Sequence, residues 1–80
     1  MPTKTIAAPL PGTFYRRPAP EQPPFKNEGD AVAAGEQVGL IEVMKTFTAV
    51  IAGEAGRIRR FLVKNEAPVM AGEPLYELEI

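Results

Sequence analysis

The chain has 80 residues, 45% of them hydrophobic, and a formal net charge of −1; that is one small foldable domain over residues 1–80, with no charge excess to draw nucleic acid or a membrane surface. It contains no Cys, no His and no Ser, which excludes the usual zinc sites and the Ser–His and Cys–His nucleophile pairs. No run approaches the ~20 apolar residues that span a bilayer, no signal-type apolar stretch follows Met1, and no glycine loop could cradle a phosphate, so a cytoplasmic protein without enzymatic activity of its own is expected.

Taken in chain order, the short apolar runs at 5–8 and 12–16 read as strands bounded by Pro and Gly. The stretch Arg17-Pro18-Ala19-Pro20-Glu21-Gln22-Pro23-Pro24-Phe25 holds four prolines. Fixed φ and missing N–H donors make it a non-helical excursion and not a strand, with Phe25 as its closing anchor. Asn27-Glu28-Gly29-Asp30 is a turn, followed by strands at 31–32, 37–43, 46–51 and 56–63. Asn65-Glu66-Ala67-Pro68 reads as another turn, and 74–79 as the last strand. Arg57-Ile58-Arg59 and Tyr76-Glu77-Leu78-Glu79 alternate polar with apolar, as one-sided strands do. No segment has a capped helical pattern. Phe14, Phe25, Phe47, Ile58, Phe61 and Leu62 are expected to pack, and Arg57, Arg59 and Arg60 to cover a solvated face.

The chain also repeats itself. Lys26-Asn27-Glu28 recurs as Lys64-Asn65-Glu66, an offset of 38 (64 − 26), and Ala34-Gly35-Glu36 as Ala71-Gly72-Glu73, an offset of 37 (71 − 34). Upstream, Ala8-Pro9-Leu10-Pro11-Gly12 parallels Ala52-Gly53-Glu54-Ala55-Gly56 at an offset of 44 (52 − 8). Six extra residues are thus expected in the first half, within the proline-rich stretch. The same offset of 44 pairs Lys45 with Met1 (45 − 1), placing Lys45 at the seam between two similar halves. Two similar β halves predict an all-β sandwich or flattened barrel in which each half supplies one layer.

One local rule fails at that seam. From Leu40 to Ile51 there is no Gly, Pro, Asn or Asp, yet thirteen residues from Gly39 are long for one strand. A two-residue turn at Met44-Lys45 is poorly favoured, because such turns want φ > 0. A turn made from unsuitable residues points to residues kept for another purpose.

Ile41-Glu42-Val43-Met44-Lys45 resembles the Glu-Ala-Met-Lys-Met motif of biotin carboxyl carrier proteins, with Val43 in place of Ala and Thr46 in place of the second Met. Ala52 to Ile58, Gly72 to Tyr76 and Ala8 to Arg16 are similar to the same family, most of all to the carrier subunit of bacterial acetyl-CoA carboxylase. The insert at 17–25 falls where that subunit has its "thumb". The resemblance implies a biotinyl/lipoyl-like barrel hammerhead with two quasi-symmetric halves and Lys45 at a hairpin tip, joined to biotin by an amide. It implies that Glu42, Val43, Met44 and Thr46 flank the attachment point and are read by biotin protein ligase. The remaining partners it implies are a biotin carboxylase and a carboxyltransferase, with acetyl-CoA as acceptor in fatty-acid biosynthesis. The lysine stem plus biotin's own arm would reach roughly 10–15 Å. Two other readings are a lipoyl-carrier domain, whose family typically has Asp before and Ala after the lysine where this chain has Met44 and Thr46, and an unmodified hammerhead interaction module.

Overall fold

The computed structural model describes residues 2–80, which form eight strands and no helix. They are β1 (Thr3–Ala7), β2 (Gly12–Tyr15), β3 (Ala31–Val32), β4 (Gln37–Val43), β5 (Thr46–Ile51), β6 (Gly56–Phe61), β7 (Ala67–Val69) and β8 (Pro74–Glu79). They pair antiparallel into two four-stranded sheets, ordered β1-β8-β6-β3 and β5-β4-β2-β7. The expected sandwich is present, and the two sheets close over one core. Phe14, Val38, Ile41, Ile58, Leu75, Tyr76 and Leu78 are its largest fully buried side chains, each stabilising the fold by about 1.5–3 kcal/mol through apolar burial.

The duplication is visible in the topology. Shifting the first four strands onto the last four maps one sheet order onto the other, strand for strand. The loop hydrogen bonds follow. Ala8 N–H donates to the Glu73 carbonyl at 2.8 Å, and its counterpart Ala52 N–H to the Glu36 carbonyl at 2.8 Å. Gly12 and Gly56 are counterparts too; a Cβ on Gly12 would lie 2.5 Å from the Glu42 carbonyl oxygen, and one on Gly56 would strike that of Glu79. Close approach of two backbones therefore demands glycine at both places.

Several expectations need correction. Each half does not supply a layer: both sheets contain two strands from each half. The halves interleave because β4 and β8 each pair with strands of both halves. Equivalent bonds run from Gly29 N–H to the Ile58 carbonyl and from Glu66 N–H to the Phe14 carbonyl, both 2.7 Å. Gly29 thus pairs with Glu66 at an offset of 37 (66 − 29), and the first half carries seven extra residues (44 − 37), not six. Ala67–Val69 is a strand where a turn was expected, because Pro68 sits on a sheet edge that spares its missing donor. β6 stops at Phe61 instead of 63, β2 at Tyr15, and β1 runs from Thr3 to Ala7. Phe47 and Leu62 are 58% and 39% exposed, so neither is a core residue. Met1, the counterpart of Lys45, lies outside the described residues. Among the described residues no helix is long and apolar enough to cross a membrane, and no cluster of acidic groups could hold a metal ion.

Arg57 and Arg59 are exposed around buried Ile58, as the alternation required. Arg60 is exposed as well, because a bulge between Ile58 and Arg60 lets two successive side chains face solvent. Its guanidinium meets Glu77 at 2.9 Å.

Candidate functional site

The β4–β5 ladder pairs Ile41 with Thr48, Glu42 with Phe47 and Val43 with Thr46, leaving Met44-Lys45 as a two-residue loop. Met44 has φ 48° and Lys45 φ 67°. Two successive positive φ values match a type I′ turn, whose twist suits a tight hairpin but which normally takes Asn-Gly. Each L-residue held there carries about 1–2 kcal/mol of steric strain.

The strain holds two long side chains clear of the protein. Met44 is 93% exposed. Lys45 is exposed and, among the described residues, makes no hydrogen bond or ion pair. Thr46 is exposed beside it. Val43 is half-buried against the core and roots the turn from below. Glu42 is half-buried on the outer face of the sheet, where its Oε1 accepts a 2.9 Å hydrogen bond from the Tyr15 hydroxyl. That bond, with some desolvation and the charges of Glu42 and Glu66, raises the Tyr15 pKa above its ordinary value.

Sequence reasoning missed Tyr15. Its ring also lies 6.5 Å from that of Phe47, tilted by 53°, within the range of favourable aromatic pairs. Together with Leu40, Pro18, Ala19 and Pro20 they line a cleft of about 290 Å³. One wall is the proline-rich stretch, whose base is closed by Phe25 N–H donating to the Arg16 carbonyl at 2.9 Å. A turn from Ala19 to Gln22 (3.0 Å) shapes its end. The signal that could have located this cleft is the apolar alternation of Leu40, Phe47 and Tyr15 on the face opposite the core. It required the β2–β4 register, which pairs Tyr15 with Leu40.

Fold and tip together define a class: a small two-sheet β module offering an unengaged lysine amine on a tight two-residue hairpin. The chain belongs to the Biotin_lipoyl family, described as "Biotin-requiring enzyme", which it matches over residues 4–78. It is 42% identical over 73 residues to the biotin carboxyl carrier protein of acetyl-CoA carboxylase from Chlamydia muridarum, a match covering 91% of this chain and 45% of that protein. It is 38% identical over 74 residues to the protein of the same name from Nostoc sp., covering 92% of this chain and 41% of that one. The chain therefore spans less than half the length of these relatives. Among solved structures, it superposes on a single-chain, multi-domain long-chain acyl-CoA carboxylase with TM-score 0.80 and 28% identity, covering 98% of this chain and 7% of that one. Kluyveromyces lactis urea carboxylase gives TM-score 0.77 and 29% identity, with 98% and 6% covered.

Proposed function

We propose that this domain is a biotin carboxyl carrier, with biotin joined by an amide to Lys45 Nζ, and that it serves an acetyl-CoA carboxylase. The observation that carries the reading is the Lys45 amine itself, exposed, unengaged and lifted on a two-residue turn of strained residues. The residues present fit the group: forming the amide breaks no existing contact of Lys45, and Met44 and Thr46 stand exposed on either side for a ligase to read. The names of the relatives from Chlamydia muridarum and Nostoc support biotin over lipoate and acetyl-CoA carboxylase as the setting.

Biotin, once attached, supplies a ureido nitrogen on which a carboxyl group travels between two active sites. The protein's part is mechanical. Lys45 contributes a flexible four-carbon stem, and the hairpin beneath it holds the pivot still. Tethering raises the local concentration of the ring at each active site. Under this reading the domain catalyses nothing itself. It is the substrate of a biotin protein ligase, then of a biotin carboxylase and a carboxyltransferase, in the cytoplasm. Residues 17–25 act as a thumb beside the tip. Deleting residues 18–24 should spare folding yet change the rate of carboxyl transfer, and an unchanged rate would remove that role.

The test is intact-mass spectrometry after incubation with biotin, ATP and a biotin ligase, beside Lys45→Ala. One biotin adduct on the parent chain and none on the variant supports the carrier reading. A folded parent chain without adduct would overturn it.

A further inference from the structure

The two sheets have four edge strands: β1, β3, β5 and β7. An exposed edge offers unpaired N–H and C=O groups to another chain, and proteins usually blunt it with short length, Pro, Lys or a bulge. Three of these edges are blunted. β3 has two residues, β7 has three and contains Pro68, and β1 carries Lys4. β5 shares with β1 a bulge at its last pairs, where Val50 meets Gly39 and Ile51 meets Gln37, but has none of the other devices. Its six residues, Thr46–Ile51, include no charge, no Pro and no Gly.

The duplication supplies an internal comparison. β1 and β5 are equivalent strands, yet Thr3, Lys4, Thr5 and Ala7 of β1 stand where β5 has Phe47, Thr48, Ala49 and Ile51. The guarded edge and the unguarded one differ in side chains, not in architecture. Phe47 and Ile51 are 58% and 51% exposed, and Ala49 between them is also exposed.

The backbone phase is equally clear. Val43 and Thr46 close the two-residue loop, so Thr46, Thr48 and Val50 turn their N–H and C=O toward β4. Ala52 continues that phase, donating to the Glu36 carbonyl at 2.8 Å. Phe47, Ala49 and Ile51 therefore direct their N–H and C=O outward, and no loop hydrogen bond among the described residues reaches them.

We infer that β5 is a strand-pairing edge whose occupant is a second copy of this chain, added antiparallel about a two-fold axis through Ala49. In that register Ala49 faces Ala49 of the second copy, and Phe47 faces Ile51 of the second copy on the same side of the sheet. The three outward-pointing residues become hydrogen-bonded pairs, with an aromatic–β-branched contact at each end and no like charges opposed. Any other centre of symmetry on the strand loses one of these matches. The two Lys45 residues lie four residues to either side of the axis, so the tips point in opposite directions, roughly 27 Å apart at about 3.4 Å per residue. Neither is covered. A joined edge this short makes a weak, concentration-dependent pair.

The test is sedimentation equilibrium of the 80-residue chain from about 10 μM to about 1 mM, the range of weak pairings, together with amide hydrogen exchange across the same range. The mass should rise toward twice that of one chain. Exchange at Phe47, Ala49 and Ile51 should slow severalfold with concentration, while Thr48 and Val50, already in the β4 ladder, should not change. Ala49→Pro removes an outward donor without touching the β4 ladder, and Ala49→Lys opposes two ammonium groups on the axis. Each should return the mass to that of a single chain, and either suffices if the other disturbs the fold by circular dichroism. A single-chain mass throughout would overturn the inference, as would a doubled mass that survives both substitutions. So would slowed exchange at these amides only when a biotin ligase is added, which would assign the edge to that enzyme instead.

Discussion

Replacing Met44-Lys45 by Asn-Gly should make the domain more stable while destroying its attachment point. Met44 is held at φ 48° and Lys45 at 67°. Each L-residue in that region carries about 1–2 kcal/mol of strain. Asn tolerates the conformation and Gly is free of it, but Gly returns about 0.5–1 kcal/mol through the entropy of the unfolded chain. The net expectation is a gain of about 1–2 kcal/mol, or about 5–15 °C in Tm for a domain of this size. The number is interpretable because nothing else is lost. Met44 is 93% exposed, and Lys45 makes no hydrogen bond or ion pair among the described residues. Urea unfolding followed by circular dichroism measures it, with an unchanged m-value showing that the folded state has not loosened. Met44→Asn alone should give a smaller gain and keep Lys45 available to the ligase. A midpoint unchanged or lowered in the double variant would refute the idea that the tip stores strain.

Gly39→Ala should lower stability by about 1–3 kcal/mol, since over-packing acts on a core that cannot yield. The new Cβ would lie 2.6 Å from Cε1 of Phe14, itself fully buried, and 3.0 Å from the Tyr15 carbonyl oxygen; a urea midpoint equal to the parent's would show that the ring moves aside. Tyr76→Phe should leave stability unchanged or raise it by about 1 kcal/mol, because it removes a buried hydroxyl that has no partner among the described residues. A clear loss in a thermal melt would mean that this hydroxyl is bonded in solution. Glu36 is held below its ordinary pKa of 4.5 by its hydrogen bond from Lys26 and by the Ala33 N–H. Its folded state therefore binds fewer protons than the unfolded chain, so its stabilisation is present above pH 4.5 and is lost as pH falls through the lower folded value. Glu36→Gln should flatten the fall in urea midpoint between neutral pH and pH 3 or so; an equally steep fall in both proteins would count against the pair.

Most strands were legible because their boundaries are made of Gly, Pro and Asn, whose backbone preferences are local. The exception is β7, where Ala67-Pro68 has turn chemistry and becomes a strand only because an edge accepts a residue without a donor. Interleaving of the halves was not legible at all. It is decided by which strands pair within each sheet, through contacts as distant in the chain as Thr3 with Glu79. The Tyr15–Glu42 hydrogen bond spans 27 positions and needs the β2–β4 register before it can be drawn. Lys45 was legible for the opposite reason, since its surroundings break a local rule at the point where the chain begins to repeat. Phe47 misled because an aromatic in an apolar run reads as core, whereas strand alternation turns it outward.

The repeat also separates two kinds of strain. Glu66 has φ 67°, and its counterpart Gly29 has φ 93°. Both donate the same 2.7 Å bond to an equivalent carbonyl. The positive φ at Glu66 is therefore imposed by the architecture, which asks for it in both halves and receives glycine in only one. Matching letters hid this, because aligning Lys-Asn-Glu with Lys-Asn-Glu pairs Glu66 with Glu28, one place away from its structural equivalent. The strain at Met44 and Lys45 belongs to the β4–β5 turn alone, in the seam that joins the copies. Asn-Gly would satisfy that turn, so the fold does not require these two residues. What they add is an amine and a thioether held away from the body at fixed height, which are the features a modifying enzyme could read and a packed core could not use.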